Sequence, residues 1–504
     1  MNKIVALALA VVVTLAGVFT AGAATLRIAS SSWPPGYGNP YGSIAQAASH
    51  TRTTIFDGLV RVARRGGLEP ALALRWEPLP PTTWRFHLRP DVVFSNGEPF
   101  NAATVKSVID YLKLPTSQSQ LMAAEVRGVQ EARIVDDLTV DLLTAQPDAV
   151  LPKRLSMIMM VPPKAWAELG PDGFTQTPIG TGAYVLKDWG LSTGLTIIQA
   201  NATSWRKPIQ IDRVELYPLK EQTGRLQALT SGRVDMTQGL GPEDVSMLRE
   251  QGYTVFVEQE PQVMALALRN VGNEGKALHD IRVRQAINFA VDKSAIADIL
   301  LRGTAQAVGQ GAIEGVTGYN PNIKPYSYDP ARAKALLAEA GHAKGLKLTA
   351  RIQTGAVPES ASIYQQVAAD LAAVGVTLEL RPILPQEWVR MYTSGEWGGA
   401  DIISTTWNSA SYGDTIRAIE TFSCRKPGAF FCEPSLEPLI DASNTELDPI
   451  KRETILQDIM ARYHDLAPSI FLVNLTSVYA HGARVKNIVL GRTGLAFEQM
   501  ELND

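Results

Sequence analysis

The chain reads as a mixed α/β protein, and three stretches decide it. Between 84 and 89, Trp84, Phe86 and Leu88 alternate with Arg85, His87 and Arg89, the two-residue period of a strand with one buried face. Beyond an Asn96-Gly97 turn, Val105, Val108, Ile109 and Leu112 recur at i, i+3, i+4 and i+7, the apolar stripe of a helix that Asn101 can cap. Farther on, Asp329-Pro330 opens a helix and Gly341 closes it, with proline at the first helical position and glycine just past the end. A hydrophobic content of 45% with 19% charged residues describes a chain that buries a core. Its 504 residues suffice for about two or three domains.

The remaining elements follow in order. Lys3, the apolar run from 4 to 19 and the small-x-small site Ala21-Gly22-Ala23 form a secretory signal, so 1–23 is a cleaved segment and the mature chain starts near Ala24. The apolar run is short for a bilayer span, and no cysteine lies near the cleavage site to carry a lipid. These features predict a free periplasmic protein. A short strand at 26–29 leads into Ser30-Ser31-Ser32-Trp33-Pro34-Pro35-Gly36-Tyr37, which cannot be helical. Strands follow between 130 and 144. Pro178-Ile179-Gly180-Thr181-Gly182 marks a sharp reversal or crossover. Two strands, 183–189 and 195–199, flank a Gly-rich hairpin turn. Asp280 caps a helix in which Val283, Ile287, Ala290 and Val291 share a face, and another helix ends near Gly375 before a strand at 376–380.

Cys424 and Cys432 are the only two cysteines, with Pro427-Gly428 as a turn between them. An even count in an exported chain reads as a disulfide. A metal pair or two free thiols lack support, because no His is near in sequence and export exposes the thiols to oxidation.

The run from Trp84 to Ser107 resembles the W-x-F-x-L-R-x-x-V-x-F-x-x-G-x-P-F-x-A-x-x-V-x-x-S signature of the extracytoplasmic solute-binding proteins of peptide-type ABC importers, bacterial solute-binding protein family 5. The same family is matched by Phe56-Asp57-Gly58-Leu59, by Pro178-Ile179-Gly180-Thr181-Gly182-Ala183-Tyr184, by 226–235, by 283–293 and by the D-P-x-x-A-x-x-L-L-x-x-A-G pattern from Asp329 to Gly341. A similar cysteine pair occurs in its dipeptide-binding branch. The resemblance implies a two-lobed periplasmic binding protein fold with mixed sheets, one lobe discontinuous, plus an extra small domain. Residues 24–55 with 176–270 and 471–504 form lobe I, 56–175 the additional domain packed on lobe I, and 271–470 lobe II. It implies capture of a peptide-like, opine-like or related organic solute between lobes that close about a hinge. Delivery is to an inner-membrane ABC permease with its ATPase subunits, by a monomer without cofactor or catalysis. The same fold serving as a ligand-presenting chemotaxis or signalling receptor is the alternative output.

The resemblance also places the site. Trp407 matches the family's tryptophan in the loop Trp407-Asn408-Ser409-Ala410-Ser411-Tyr412-Gly413-Asp414. In peptide-binding branches an Asp three residues past that Trp pairs with the peptide ammonium, and here Ala410 stands there. Either Asp414 substitutes from the next turn or the ligand has no free amine at that point, since an unpaired buried ammonium is costly. Trp33, Tyr37 and Tyr41 are candidates for the facing wall, and Asn408, Ser409 and Tyr412 accompany Trp407. Arg269 and Asn270 sit where the chain enters the second lobe and either reach the cleft or tie the hinge. For the aromatic residues the competing role is core packing.

Other chemistries find little footing. A net charge of −3, with no run of Lys or Arg longer than two, gives no footprint for nucleic acid. The six histidines are scattered without ligand spacing, which leaves no metal site to assemble. Gly190-Leu191-Ser192-Thr193-Gly194 matches the G-x-S-x-G pattern of serine hydrolases, but it falls on the hairpin turn and not between a strand and a helix.

Overall fold

Two long antiparallel strands, Thr254–Leu268 and Ser469–His481, run through the centre of the molecule. The structure is a computed structural model that describes residues 24–31, 38–42, 52–64, 66–79, 81–272, 276–354, 359–491 and 494–503. The signal segment, Trp33 and Tyr37 lie outside the described residues. The first long strand changes character along its length. Val263 to Leu268 is a continuous apolar run buried on both faces, whereas Thr254 to Glu260 carries polar residues and stays partly exposed. Its ladder with the second strand slips between Gln259 and Val263, and Pro261, which has no N–H to donate, sits in that gap.

On one side of this pair lie Ile402–Asn408, Leu346–Gln353 and Val376–Ile383, and on the other Met236–Leu240, Ala24–Ser30, Ile211–Pro218, Thr196–Ala200 and Tyr184–Asp188, making one ten-stranded mixed sheet. The helices that the punctuation predicts cover the first side. Asp280 accepts from the Arg282 N–H at 2.9 Å, and Asp329 does the same for Arg332 at 2.9 Å. The core beneath them includes Val283, Ile287, Leu337, Leu371 and Ile402. The other half has its own core around Leu26, Ile28, Leu216, Tyr479 and Phe497.

The alternating run at 84–89 becomes Thr83–Leu88 in a separate four-stranded sheet, paired with Ala73–Leu79 and Thr139–Thr144, with Val129–Asp136 at the far edge. Against it lies the helix Ala102–Lys113, whose Val105, Val108, Ile109 and Leu112 are all buried. Asn101 accepts from Ala103 and Thr104 N–H groups at 3.0 and 3.2 Å, while Thr104 Oγ1 accepts from the Asn101 N–H at 3.4 Å, a capping box. This module touches both halves of the main sheet. Asp57 accepts hydrogen bonds from Thr181 at 2.8 Å and Trp205 at 2.9 Å and pairs with Arg206 at 2.9 Å. At the crossover a Cβ on Gly180 would lie 1.9 Å from the Ile55 carbonyl oxygen, so only glycine fits. On the other flank its apolar core continues from Phe86 and Val105 through Leu155 to Tyr412, Ile416 and Trp407.

Tyr184–Asp188 and Thr196–Ala200 form the expected hairpin, with Ser192 exposed in its turn. No helix among the described residues is long and apolar enough to cross a membrane. Cys424 and Cys432 are bonded.

Candidate functional site

A cavity of about 1580 Å³ opens where the long strands lose their cover. Its floor is Val257 to Gln262 on one strand and Leu475 to Tyr479 on the other, so the register break runs through it. Gln238 to Leu240 and the Lys220–Arg225 turn supply the wall from the half containing Ala24–Ser30. Ser404 to Thr406, Gln353, Tyr364 and Trp388 supply the opposite wall. Arg64 and Met157 of the four-stranded module close one end, together with Arg52 at its edge.

Charge in the lining is balanced. Arg52, Arg64, Lys220 and Arg225 face Glu258, Glu260, Glu314 and Glu359. Several of these are already engaged. Arg64 pairs with Glu258 at 2.5 Å, and Ser477 donates to Glu260 at 2.7 Å. Arg225 donates to the carbonyls of Leu219 at 2.8 Å and Lys220 at 2.7 Å, which fixes the turn it belongs to. Arg52 is 6% exposed, and burial pushes its guanidinium down to about 10.

One corner is aromatic. Ser404 organises it: its carbonyl accepts the Trp388 indole N–H at 3.0 Å and its hydroxyl accepts the Gln353 N–H at 2.8 Å. The Tyr364 side chain also bonds to Ser404, and burial pushes this phenol up to about 12, so it stays protonated at neutral pH. Tyr392 stacks on Trp388 with ring centres 5.0 Å apart and planes 11° apart. Lys426, inside the disulfide loop, holds its ammonium 3.8 Å from the Tyr392 ring centre. Trp388 therefore lines the cavity as a plate braced by Ser404 on one side and Tyr392 on the other.

Of the sequence-predicted site residues within the described range, only Asn408 lines the cavity, with Ala410 and Ser411 beside it. Trp407 is fully buried, lying flat on Phe422 at 4.3 Å and donating its indole N–H to Ser469 Oγ at 3.0 Å. The strand alternation that exposes Thr406 and Asn408 turns Trp407 the other way. Tyr41 is a core residue too, donating to the Met159 carbonyl at 2.8 Å and packing edge-on against Trp166. Tyr412 is buried with its hydroxyl donated to Glu125, and Ser409 is buried with its N–H on the Pro261 carbonyl at 3.0 Å. Asn270 holds the disulfide loop, donating to the Cys432 carbonyl and accepting from its N–H, both at 2.8 Å. Arg269 lies over Phe430, its guanidinium 5.7 Å from the ring centre.

Asp414 is sealed in the interior. Lys153 and Arg452 each reach its Oδ2 at 2.6 Å, and the two cations hold its carboxyl well below the usual range despite complete burial. It cannot serve as a cavity carboxylate. Trp388 and Tyr364 escaped the sequence reading because a single Trp on an amphipathic helix and a Tyr on an apolar helix face carry no mark of a cavity wall. Among the described residues no three His, Cys, Asp or Glu side chains are gathered for a metal.

Comparison with known proteins gives a consistent picture. The family described as bacterial extracellular solute-binding proteins, family 5 Middle, matches residues 67–429. The nickel-binding periplasmic protein of Escherichia coli K12 is 26% identical over 511 residues, covering 94% of each chain. The dipeptide-binding protein of the same organism is 25% identical and covers 84% of each. Among solved structures, NikA from Brucella suis in complex with Fe(III)-EDTA superposes with a TM-score of 0.80 at 25% identity, covering 95% of this chain and all of that one.

Proposed function

The chain belongs to family 5 of the bacterial extracellular solute-binding proteins, and from that membership we propose that its cavity captures an uncharged ring or flat group on Trp388 and carries no anchor for a peptide α-ammonium at Ala410. Family members are transport-associated binding proteins that take up small solutes for ABC permeases, and capture with delivery to such a permease is the function of this chain. The cavity lies between two halves joined by continuous strands, the arrangement in which a ligand touching both halves shifts a hinge equilibrium. We assign residues 24–55, 176–270 and 471–504 to the first lobe, 56–175 to a separate module and 271–470 to the second lobe. The mature protein is a periplasmic monomer beginning near Ala24.

The observation that carries the choice of solute is the pairing of Ala410 on the wall with Asp414 buried beneath it, claimed by Lys153 and Arg452. Freeing Asp414 for an ammonium would orphan two buried cations, each at a cost of several kcal/mol. A thermal-shift screen tests the reading. Free-amine di- and tripeptides should leave the melting temperature unchanged, whereas the solute retained through native purification and identified by mass spectrometry should raise it. Tight binding of a free-amine dipeptide, lost on its N-acetylation, would overturn this assignment.

A further inference from the structure

The seam between the four-stranded module and the second lobe holds a cluster of buried charges, and Lys153, Arg154, Asp414, Glu420 and Arg452 in it do not line the cavity. Lys153 Nζ reaches across to Asp414 Oδ2 at 2.6 Å and to Thr317 Oγ1 at 2.9 Å. Its neighbour Arg154 pairs with Glu420 at 3.0 Å, the Tyr412 hydroxyl donates back to Glu125, and the Ala149 N–H donates to the Asn444 carbonyl at 2.8 Å. The turn at Gly66 is pressed into the same seam. Its φ is +84°, and a Cβ there would lie 2.6 Å from the Gly315 carbonyl oxygen and 2.9 Å from that of Gly413. The module is anchored to the first lobe by the buried Asp57–Arg206–Glu498 group. Rotation about the register break therefore has to part Lys153 from Asp414.

We propose that Lys153 and Arg154 form an electrostatic clasp that holds the lobes together in the absence of solute and so sets solute affinity without contacting it; this rests on the two-lobe reading and the lobe boundaries given above. The partition of partners makes the clasp reversible. Asp414 keeps its bidentate contact with Arg452, at 2.6 and 3.2 Å, because both belong to the second lobe. Opening thus hydrates Lys153 and leaves Asp414 paired with Arg452, while Arg154 and Glu420, already 20% and 24% exposed, pass into solvent, so the electrostatic attraction given up is largely repaid by solvation. Lys153, at 13% side-chain exposure, sits nearest the surface of the Lys153–Asp414–Arg452 group, where water reaches it first.

The experiment reads lobe separation directly. The chain's only two cysteines are bonded to each other, so spin labels can be placed through Glu168→Cys with Lys334→Cys and, in a second sample, Lys187→Cys with Lys334→Cys. After the co-purified solute has been stripped by exhaustive dialysis and its loss checked by native mass spectrometry, the otherwise unchanged protein should give one short distance for each pair. Lys153→Met, which spares the Asp414–Arg452 contact, and separately Glu420→Gln should each add a longer-distance population in both pairs. If the closed fraction falls to a tenth, the apparent Kd for the co-purified solute rises about tenfold. Unchanged distance distributions in Lys153→Met and Glu420→Gln overturn the clasp. Lengthening of the Lys187–Lys334 pair alone would mean that the module travels with the second lobe, which overturns the clasp and the boundaries while leaving solute capture intact.

Discussion

Trp407, which its sequence position suggests for the cavity, packs in the core, and Trp388 lines the cavity instead. Trp407 stacks on Phe422 and abuts Gly311, where a Cβ would come within 2.1 Å of the indole, so it is a packing element with no slack. Trp407→Ala should cost about 3–5 kcal/mol of stability in denaturant unfolding. Trp388→Ala should do the reverse: nearly unchanged melting, with the retained solute weakened by more than about 1 kcal/mol in calorimetry. A second buried residue writes itself into the pH profile. Burial lowers the Lys293 ammonium to about 7, and it donates to the Asn288 carbonyl at 2.7 Å. Between that value and the unfolded one near 10.4 the unfolded chain binds the extra proton, so stability rises with pH, by at most about 1.4 kcal/mol per unit. Lys293→Met should flatten this slope between pH 7.5 and 9.5 in thermal melts.

The disulfide loop illustrates how an element can be legible in outline and opaque in purpose. Two cysteines flanking Pro427-Gly428 in an exported chain suffice to predict the bond, and it is present. What the spacing does not carry is the loop's attachment: Asn270 binds Cys432, Trp397 donates to the Gly428 carbonyl at 2.8 Å, and Lys426 backs the Tyr392–Trp388 stack. These contacts come from residues at 270, 392 and 397, beyond the reach of any local pattern. Reduction should lower stability by about 2.5 kcal/mol on the chain-entropy model, read as a drop in melting temperature. Solute affinity should fall with it, because the plate loses its brace. The 184–200 hairpin is the opposite case, local in every respect. Ser192→Ala on its exposed turn should change stability by no more than about 0.5 kcal/mol.

For the molecule as a whole, periodicity and capping residues were sufficient to place the helices at Asn101, Asp280 and Asp329, because those signals are made by neighbours along the chain. The cavity was not, because its walls come from segments some 150 residues apart that meet only through the long strands. Loop residues next to a family tryptophan drew attention to Asp414. Its neutralisation by Lys153, 261 positions away, is a tertiary fact. Its lowered pKa gives a whole-protein signature in acid. The stabilisation is complete above the unfolded carboxyl value near 4 and is lost progressively as pH falls below it toward the native value. Asp414→Asn should weaken that acid dependence in melts between pH 5 and 3.

The slip in the ladder between Gln259 and Val263 can also be considered as a mechanical joint. On either side of it the long strands are laced by antiparallel hydrogen bonds, which lie across the direction of the chain and so carry axial tension in shear, many bonds at once. Within the slip the ladder between the two long strands is interrupted, and the hydrogen bonds that remain, Ser477 to Glu260 and the Ser409 N–H to the Pro261 carbonyl, are isolated ones. The joint is thus compliant in bending and twist but strong in tension. A protein of this kind can flex repeatedly at one point while its two halves stay drawn together, and a load pulling them apart along the strands meets its greatest resistance where the molecule is otherwise most easily turned.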